Sequence, residues 1–265
     1  MKVMRTLAIG VLILAAAMPA AAQPDRLYDK DVKALIEQSK STFDRFWDAL
    51  DGRLKNTTFK GPSGEWVVKK IGEDYKTAID LAKSRFTDTS SASTEVGAFL
   101  KDAVLMQNYV SQQGAGMKGA SEWQAHANVL GKLAAEYGAT FPPAAGQAFR
   151  RYSDREVVAA TAAIEQSSKQ LASALESTLK KDKATPEAAR KAMVADVKQV
   201  GAAAKMLGSA VKDGKPASAH MTTLVDQVKK VQGAIGASSA AGALAGQLGS
   251  LNAPLATIGT AFHQK

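Results

Sequence analysis

Apolar residues recur at threes and fours from Asp31 to Leu54. Val32, Ile36, Phe43, Phe46, Trp47, Leu50 and Leu54 fall on one side of a 3.6-residue helix, with Lys and Asp on the other. This first helix carries three aromatics within five positions, a face that needs partners. The same spacing returns from Glu65 to Phe86 through Val67, Ile71, Tyr75, Ala78, Ala82 and Phe86. It returns again from Thr94 to Gln113 through Val96, Phe99, Leu100, Ala103, Met106 and Val110. A fourth helix follows Ser121 as N-cap, uses Trp123, Ala127, Leu130, Leu133, Ala134 and Tyr137, and stops at Gly138. The stretches 56–64 and 87–91 read as loops, rich in breakers and capping residues.

Pro142 and Pro143 cannot continue a helix, because each lacks the amide proton and restricts its predecessor. The chain is therefore expected to divide here. Ser153 and Glu156 form a capping box that opens a fifth helix running to Lys181. Thr185-Pro186-Glu187 opens a sixth, with Pro186 at the first helical position. Met193, Val197, Val200, Ala204, Leu207 and Val211 give this helix the cleanest seven-residue repeat, which predicts close packing against the fifth. A seventh carries Met221, Leu224, Val228, Val231 and Ile235.

From Gly233 the chain is uncharged until Lys265, yet Leu244, Leu248, Leu251, Leu255, Ile258 and Phe262 keep helical spacing. A weak eighth helix, broken or kinked near Pro254, is expected, and Gly242 and Gly246 form a G-x-x-x-G pair suited to close backbone approach. No period-two run of β-branched residues bounded by turns appears. The expected fold is all-α: antiparallel up-and-down helical bundles of about seven to eight helices after a cleaved signal peptide. The divisions are 1–22 signal peptide, 23–140 N-terminal bundle, 141–152 Pro-containing linker, 153–235 C-terminal bundle and 236–265 uncharged tail.

The first residues read as an export signal. Lys2 and Arg5 are followed by the apolar run Leu7 to Ala17 and by Ala20-Ala21-Ala22, a small-x-small site with cleavage expected before Gln23. A bacterial periplasmic or secreted location follows. The chain has no cysteine, so disulfides and thiol-linked lipid anchors are excluded. Thirty-four basic and 25 acidic residues give +9, and loss of Lys2 and Arg5 leaves +7. That balance favours an anionic envelope surface or a protein partner. Nucleic acid is not an expected partner, since no basic run is interleaved with aromatics.

Motifs that resemble catalytic or cofactor signatures lack their required context. Gly114 to Gly119 matches G-x-G-x-x-G but follows a helix, where the dinucleotide fingerprint needs a strand. Ser177 to Lys180 and Ser209 to Lys212 match S-x-x-K without the accompanying S-D-N and K-T-G elements. The histidines, His126, His220 and His263, have no second histidine at helical spacing for zinc. A non-covalent haem between His220 and Met193, Met206 or Met221 is the sharper idea, but methionine at these positions suits core packing. Asp44, Asp48 and Asp51 line one stripe, with Arg45 and Lys55 near enough to offset them. No catalytic, metal or cofactor-binding residue is therefore assigned.

If helices five to seven alternate in direction, Lys180, Lys181, Lys183, Arg190, Lys191, Lys229 and Lys230 gather at one end, where the uncharged tail departs. Arg190 and Lys191 lie in a first turn, against the helix dipole. The expectation is an exported, non-catalytic helical protein that binds an envelope partner or anionic surface through these cations, with weak membrane association through the tail. The alternative is a carrier of a small ligand or cofactor within a four-helix bundle core.

Overall fold

The spacing of apolar residues by threes and fours is realised as helix through most of the chain. The computed structural model describes residues 26–61, 64–181 and 185–263, and the expected signal segment 1–22 lies outside them. Helix makes up 74% of the described residues, with little strand. The first half contains α1 (Asp29–Ala49), α2 (Gly52–Lys55), β1 (Thr58–Gly61), β2 (Gly64–Val67), α3 (Val68–Arg85), β3 (Phe86–Thr87), β4 (Ser90–Ser91), α4 (Ser93–Gln113) and α5 (Ala120–Glu136). The second contains α6 (Asp154–Lys181), α7 (Glu187–Lys212), α8 (Ser218–Gly236), α9 (Ala241–Gly249) and α10 (Asn252–Ala261).

Most departures from the expected elements lie at caps and turns. The first helix stops at Ala49, because the Asp51 carboxylate accepts the Leu54 N–H at 2.8 Å and starts the separate turn α2. The expected loop at 56–64 is half of an antiparallel hairpin in which Phe59 faces Trp66 across the strands. Strand is thus present, although the sequence pattern predicts none. Ser121 does not cap α5. Gly119 holds that position at φ +95°, and the Ser121 hydroxyl donates to Glu122. Pro186 is the N-cap of α7, one residue before the expected place. The tail breaks between α9 and α10, ahead of Pro254, which falls in the first turn of α10 where its missing N–H leaves no helical bond unmade.

Two hydrophobic clusters form, one chiefly from each half, with Tyr28 of the first half buried in the second cluster. In the first, α1 packs antiparallel to both α3 and α5, and α4 packs on α3. Phe43 and Phe46 are fully buried, with Phe43 edge-on to Tyr75 at 4.5 Å and Phe46 edge-on to Trp123 at 5.0 Å. Trp47 is only half-buried: its ring lies over Gly72, where any Cβ would approach within 2.1 Å, and under the Lys55 and Lys76 ammonium groups. Phe43→Ala is therefore expected to cost about 3–5 kcal/mol and Trp47→Ala clearly less, measured by urea unfolding.

In the second cluster, α6 and α7 run antiparallel in close approach. A Cβ at Gly201 would lie 2.5 Å from the Ser168 hydroxyl, and one at Gly208 2.4 Å from that of Thr161. The uncharged tail completes this cluster, with Leu244, Leu251, Ile258 and Ala261 buried in it and both α9 and α10 packed on α6. The G-x-x-x-G pair does not serve close packing, since a Cβ at Gly242 or Gly246 would meet nothing within 4 Å. No described helix is long and apolar enough to cross a membrane.

The Pro-containing stretch joining the halves is non-helical, as its prolines require, but it is packed. Phe141 and Phe149 lie on the first cluster and Tyr152 on the second. Here the starts of α1 and α6 meet and exchange partners. Arg26 donates to Asp154 at 2.7 Å and to the Tyr152 carbonyl, while Arg151 donates to Asp29 and to the Leu27 carbonyl. The Asp29 N–H donates to the Asp154 carboxylate at 2.9 Å, and the Asp154 N–H donates to the Asp29 carboxylate at 3.0 Å. Each acid thus offsets the positive end of the other's helix. Both arginines are only 4% exposed. Burial lowers the Arg26 pKa, with Arg151 adding to the shift, and burial raises that of Asp154. The capping box forms as its sequence predicts: Ser153 N–H to Glu156 at 2.8 Å and Glu156 N–H to the Ser153 hydroxyl at 3.1 Å.

Candidate functional site

Because α6 and α7 are antiparallel neighbours, the end of one and the start of the other enclose an open groove of about 430 Å³. Leu179, Val194 and Ala195 form its apolar floor. Lys180, Arg190, Lys191 and Lys198 stand around it together with Glu176 and Glu187. Four of the seven predicted cations, Lys180, Lys181, Arg190 and Lys191, lie at this end of the two helices. Lys183 lies outside the described residues. Lys229 and Lys230 are set back: Lys230 pairs with Asp196 at 2.7 Å, a point about 14 Å along α7 from its first residue.

The partners of these cations divide them into two kinds. Arg190 donates from Nη1 to the Leu179 carbonyl at 3.0 Å, so it caps the end of α6. That bond explains a cation in the first turn of α7, where the dipole alone disfavours it. Lys191 pairs with Glu187 at 2.7 Å on an exposed face, and the same pairing lowers the Glu187 pKa. Lys180, Lys181 and Lys229 are exposed and make no ion pair with a described residue. Lys181 borders a shallow depression with Ser177, Thr178 and Ser239, so the turn into the uncharged tail does lie beside the cations.

The other motifs resolve into structure. Gly114 to Gly119 is the turn between α4 and α5, with Gly114 and Gly119 both at positive φ. Ser177 donates back to the Ser173 carbonyl within α6. Asp44 is matched by Lys76 from α3, at 2.8 Å, rather than by Arg45 or Lys55. No group of three or more His, Cys, Asp or Glu is arranged to hold a metal among the described residues.

His126 is the buried polar group that the sequence pattern leaves unassigned. It is 0% exposed, with Thr42 at 2.9 Å from Nδ1 and Tyr75 at 2.8 Å from Nε2. One proton arrangement satisfies every donor: Tyr75 donates to Nε2, Nδ1 donates to Thr42, and Thr42 donates to the Gln38 carbonyl at 2.8 Å. Burial pushes the His126 pKa down to about 3 and that of Tyr75 well up, so both stay neutral. With both ring nitrogens bonded and Phe43 and Trp123 against the ring, His126 is a core histidine.

Comparison with protein-family models, with curated proteins and with solved structures gives no match to this chain.

Proposed function

We propose that the protein is an exported, non-catalytic pair of helical bundles, 23–140 and 153–235 with the tail from 236, that binds an anionic component of the cell envelope. The contact is the basic end of the second bundle. The observation that carries this reading is the set Lys180, Lys181 and Lys229, exposed lysines unpaired among the described residues: Lys180 lines the open groove, Lys181 follows it at the end of α6, and Lys229 is set back on α8. Cations already held by carboxylates gain little from a further anion, whereas free ones gain the whole interaction. The export signal and the balance of +7 after its removal are consistent with a partner outside the cytoplasm. Lys183, two residues after Lys181 in the sequence, belongs to the proposed contact on its sequence position alone.

Co-sedimentation with vesicles tests this. The protein is expected to pellet with phosphatidylglycerol-containing vesicles at low salt and to stay in solution with phosphatidylcholine alone. Lys180→Gln/Lys181→Gln/Lys229→Gln is expected to lose most of the pelleted fraction at an unchanged melting temperature, because none of the three holds an ion pair with a described residue. Equal pelleting with neutral and anionic lipid contradicts the reading.

A further inference from the structure

The lysines of α7 are spaced with a regularity that its core packing does not require. Lys191, Lys198, Lys205 and Lys212 stand at seven-residue intervals, all exposed, on one continuous helix. Seven residues turn a straight α-helix back to within about 20° of its starting direction. The four side chains therefore follow one another in file over about 31 Å, with a slow drift around the axis. Between them the exposed positions Ala192, Ala195, Gln199, Ala202, Met206 and Ser209 carry no charge. The acids of α7 before its C-cap are Glu187, paired with Lys191, and Asp196, paired with Lys230.

From this file we infer that the anionic partner is a single linear polyanion lying along α7, held at one end by the basic groove and continued by the lysine ladder. This rests on the function proposed above and adds the form of the ligand. A flat anionic surface suits the ladder less well than a chain. The neighbouring α6 carries Glu165, whose pKa is lowered by Lys169 and to a lesser degree by Lys205, and Glu176, which lines the same groove as Lys198. A sheet of head groups pressed on this side brings anions onto those carboxylates. A chain in line with the lysines meets the cations, and the small residues between them leave room for it against the helix.

Inorganic polyphosphate is the probe, in long-chain form and as tripolyphosphate, at equal total phosphate. The long chain is expected to bind far more tightly than the short one. Lys205→Gln and Lys212→Gln, beyond the groove, are each expected to weaken the long chain about fivefold with little effect on tripolyphosphate; Lys198→Gln, in the groove lining, should weaken both, and Lys191→Gln, whose lysine is held by Glu187, should act less. Glutamine is a good helix former, so far-ultraviolet circular dichroism should not change. Substituting Lys30, Lys33, Lys69 and Lys132, which are exposed on the first half and make no ion pair with a described residue, is the control and should leave the affinity near that of the parent. Equal loss from both sets, or equal binding of long and short chains, overturns the inference. Pelleting with anionic vesicles without polyphosphate binding overturns it too while the proposed function stands; absence of both removes the two together.

Discussion

Arg151→Met is expected to destabilise the protein by about 3–5 kcal/mol and to separate the unfolding of its two halves. The methionine has similar length but takes the guanidinium away from the Leu27 carbonyl and from the Asp29 carboxylate, which among the described residues keeps only the Asp154 N–H, inside a junction where Arg151 is 4% exposed. Removing one member of a buried ion pair costs more than the pair itself contributes, because the remaining charge stays desolvated. The junction is also where each half helps to cap the other's first helix, so its loss should uncouple them. Trp47, Trp66 and Trp123 all lie in the first half, so tryptophan fluorescence follows that half while circular dichroism follows both. The two urea transitions should coincide in the parent and diverge in the variant. Arg150→Met, which breaks an exposed pair with Glu156 at 3.5 Å and a stacking of the guanidinium over the Tyr152 ring, should shift the midpoint slightly. Coincident transitions with a small shift in Arg151→Met contradict this account.

His126 should make stability depend on pH below neutrality. Its folded pKa of about 3 lies below the ordinary 6.5, so the unfolded chain binds the proton first as pH falls. The contribution is whole above about pH 6.5 and is lost progressively down to about pH 3, by up to about 1.4 kcal/mol per unit and about 5 kcal/mol in all. Carboxylates titrate in the same range. Burial, aided by Asp74, raises the Asp102 pKa, which acts in the opposite direction as pH falls. The comparison that isolates His126 is therefore parent against His126→Gln. The variant should be less stable at pH 8, and its deficit should shrink as pH falls to 4. A deficit independent of pH contradicts a neutral buried imidazole.

The helices were legible because each carries a long apolar stripe, and Ser153 with Glu156 formed the cap that their spacing predicts. The hairpin was not legible: between Thr58 and Val67 the sequence is rich in glycine, proline and serine, which reads as a loop, and each strand is four residues long. The packing of the tail was not legible, because Gly, Ala and Ser weaken it as an isolated helix, while burial of Leu244, Leu251 and Ile258 stabilises it in place.

At the candidate site, sequence brought Lys180, Lys181, Arg190 and Lys191 to one end, because antiparallel order follows from short connections. It could not show that Arg190 is engaged with Leu179 or that Lys230 faces Asp196, since both depend on the register between helices. The junction does carry a sequence signal: Arg26-x-x-Asp29 recurs as Arg151-x-x-Asp154, each just before or at a helix start. His126 had none, because a lone histidine on an apolar stripe does not reveal its partners on other helices.

Salt dependence of binding tests the central claim most directly. Association with phosphatidylglycerol vesicles is measured from low to physiological salt for the parent and for Lys180→Gln/Lys181→Gln/Lys229→Gln. If these free lysines make the contact, affinity falls steeply with salt in the parent, and the logarithmic slope in the variant is shallower by roughly two to three units. An unchanged slope in the variant contradicts it.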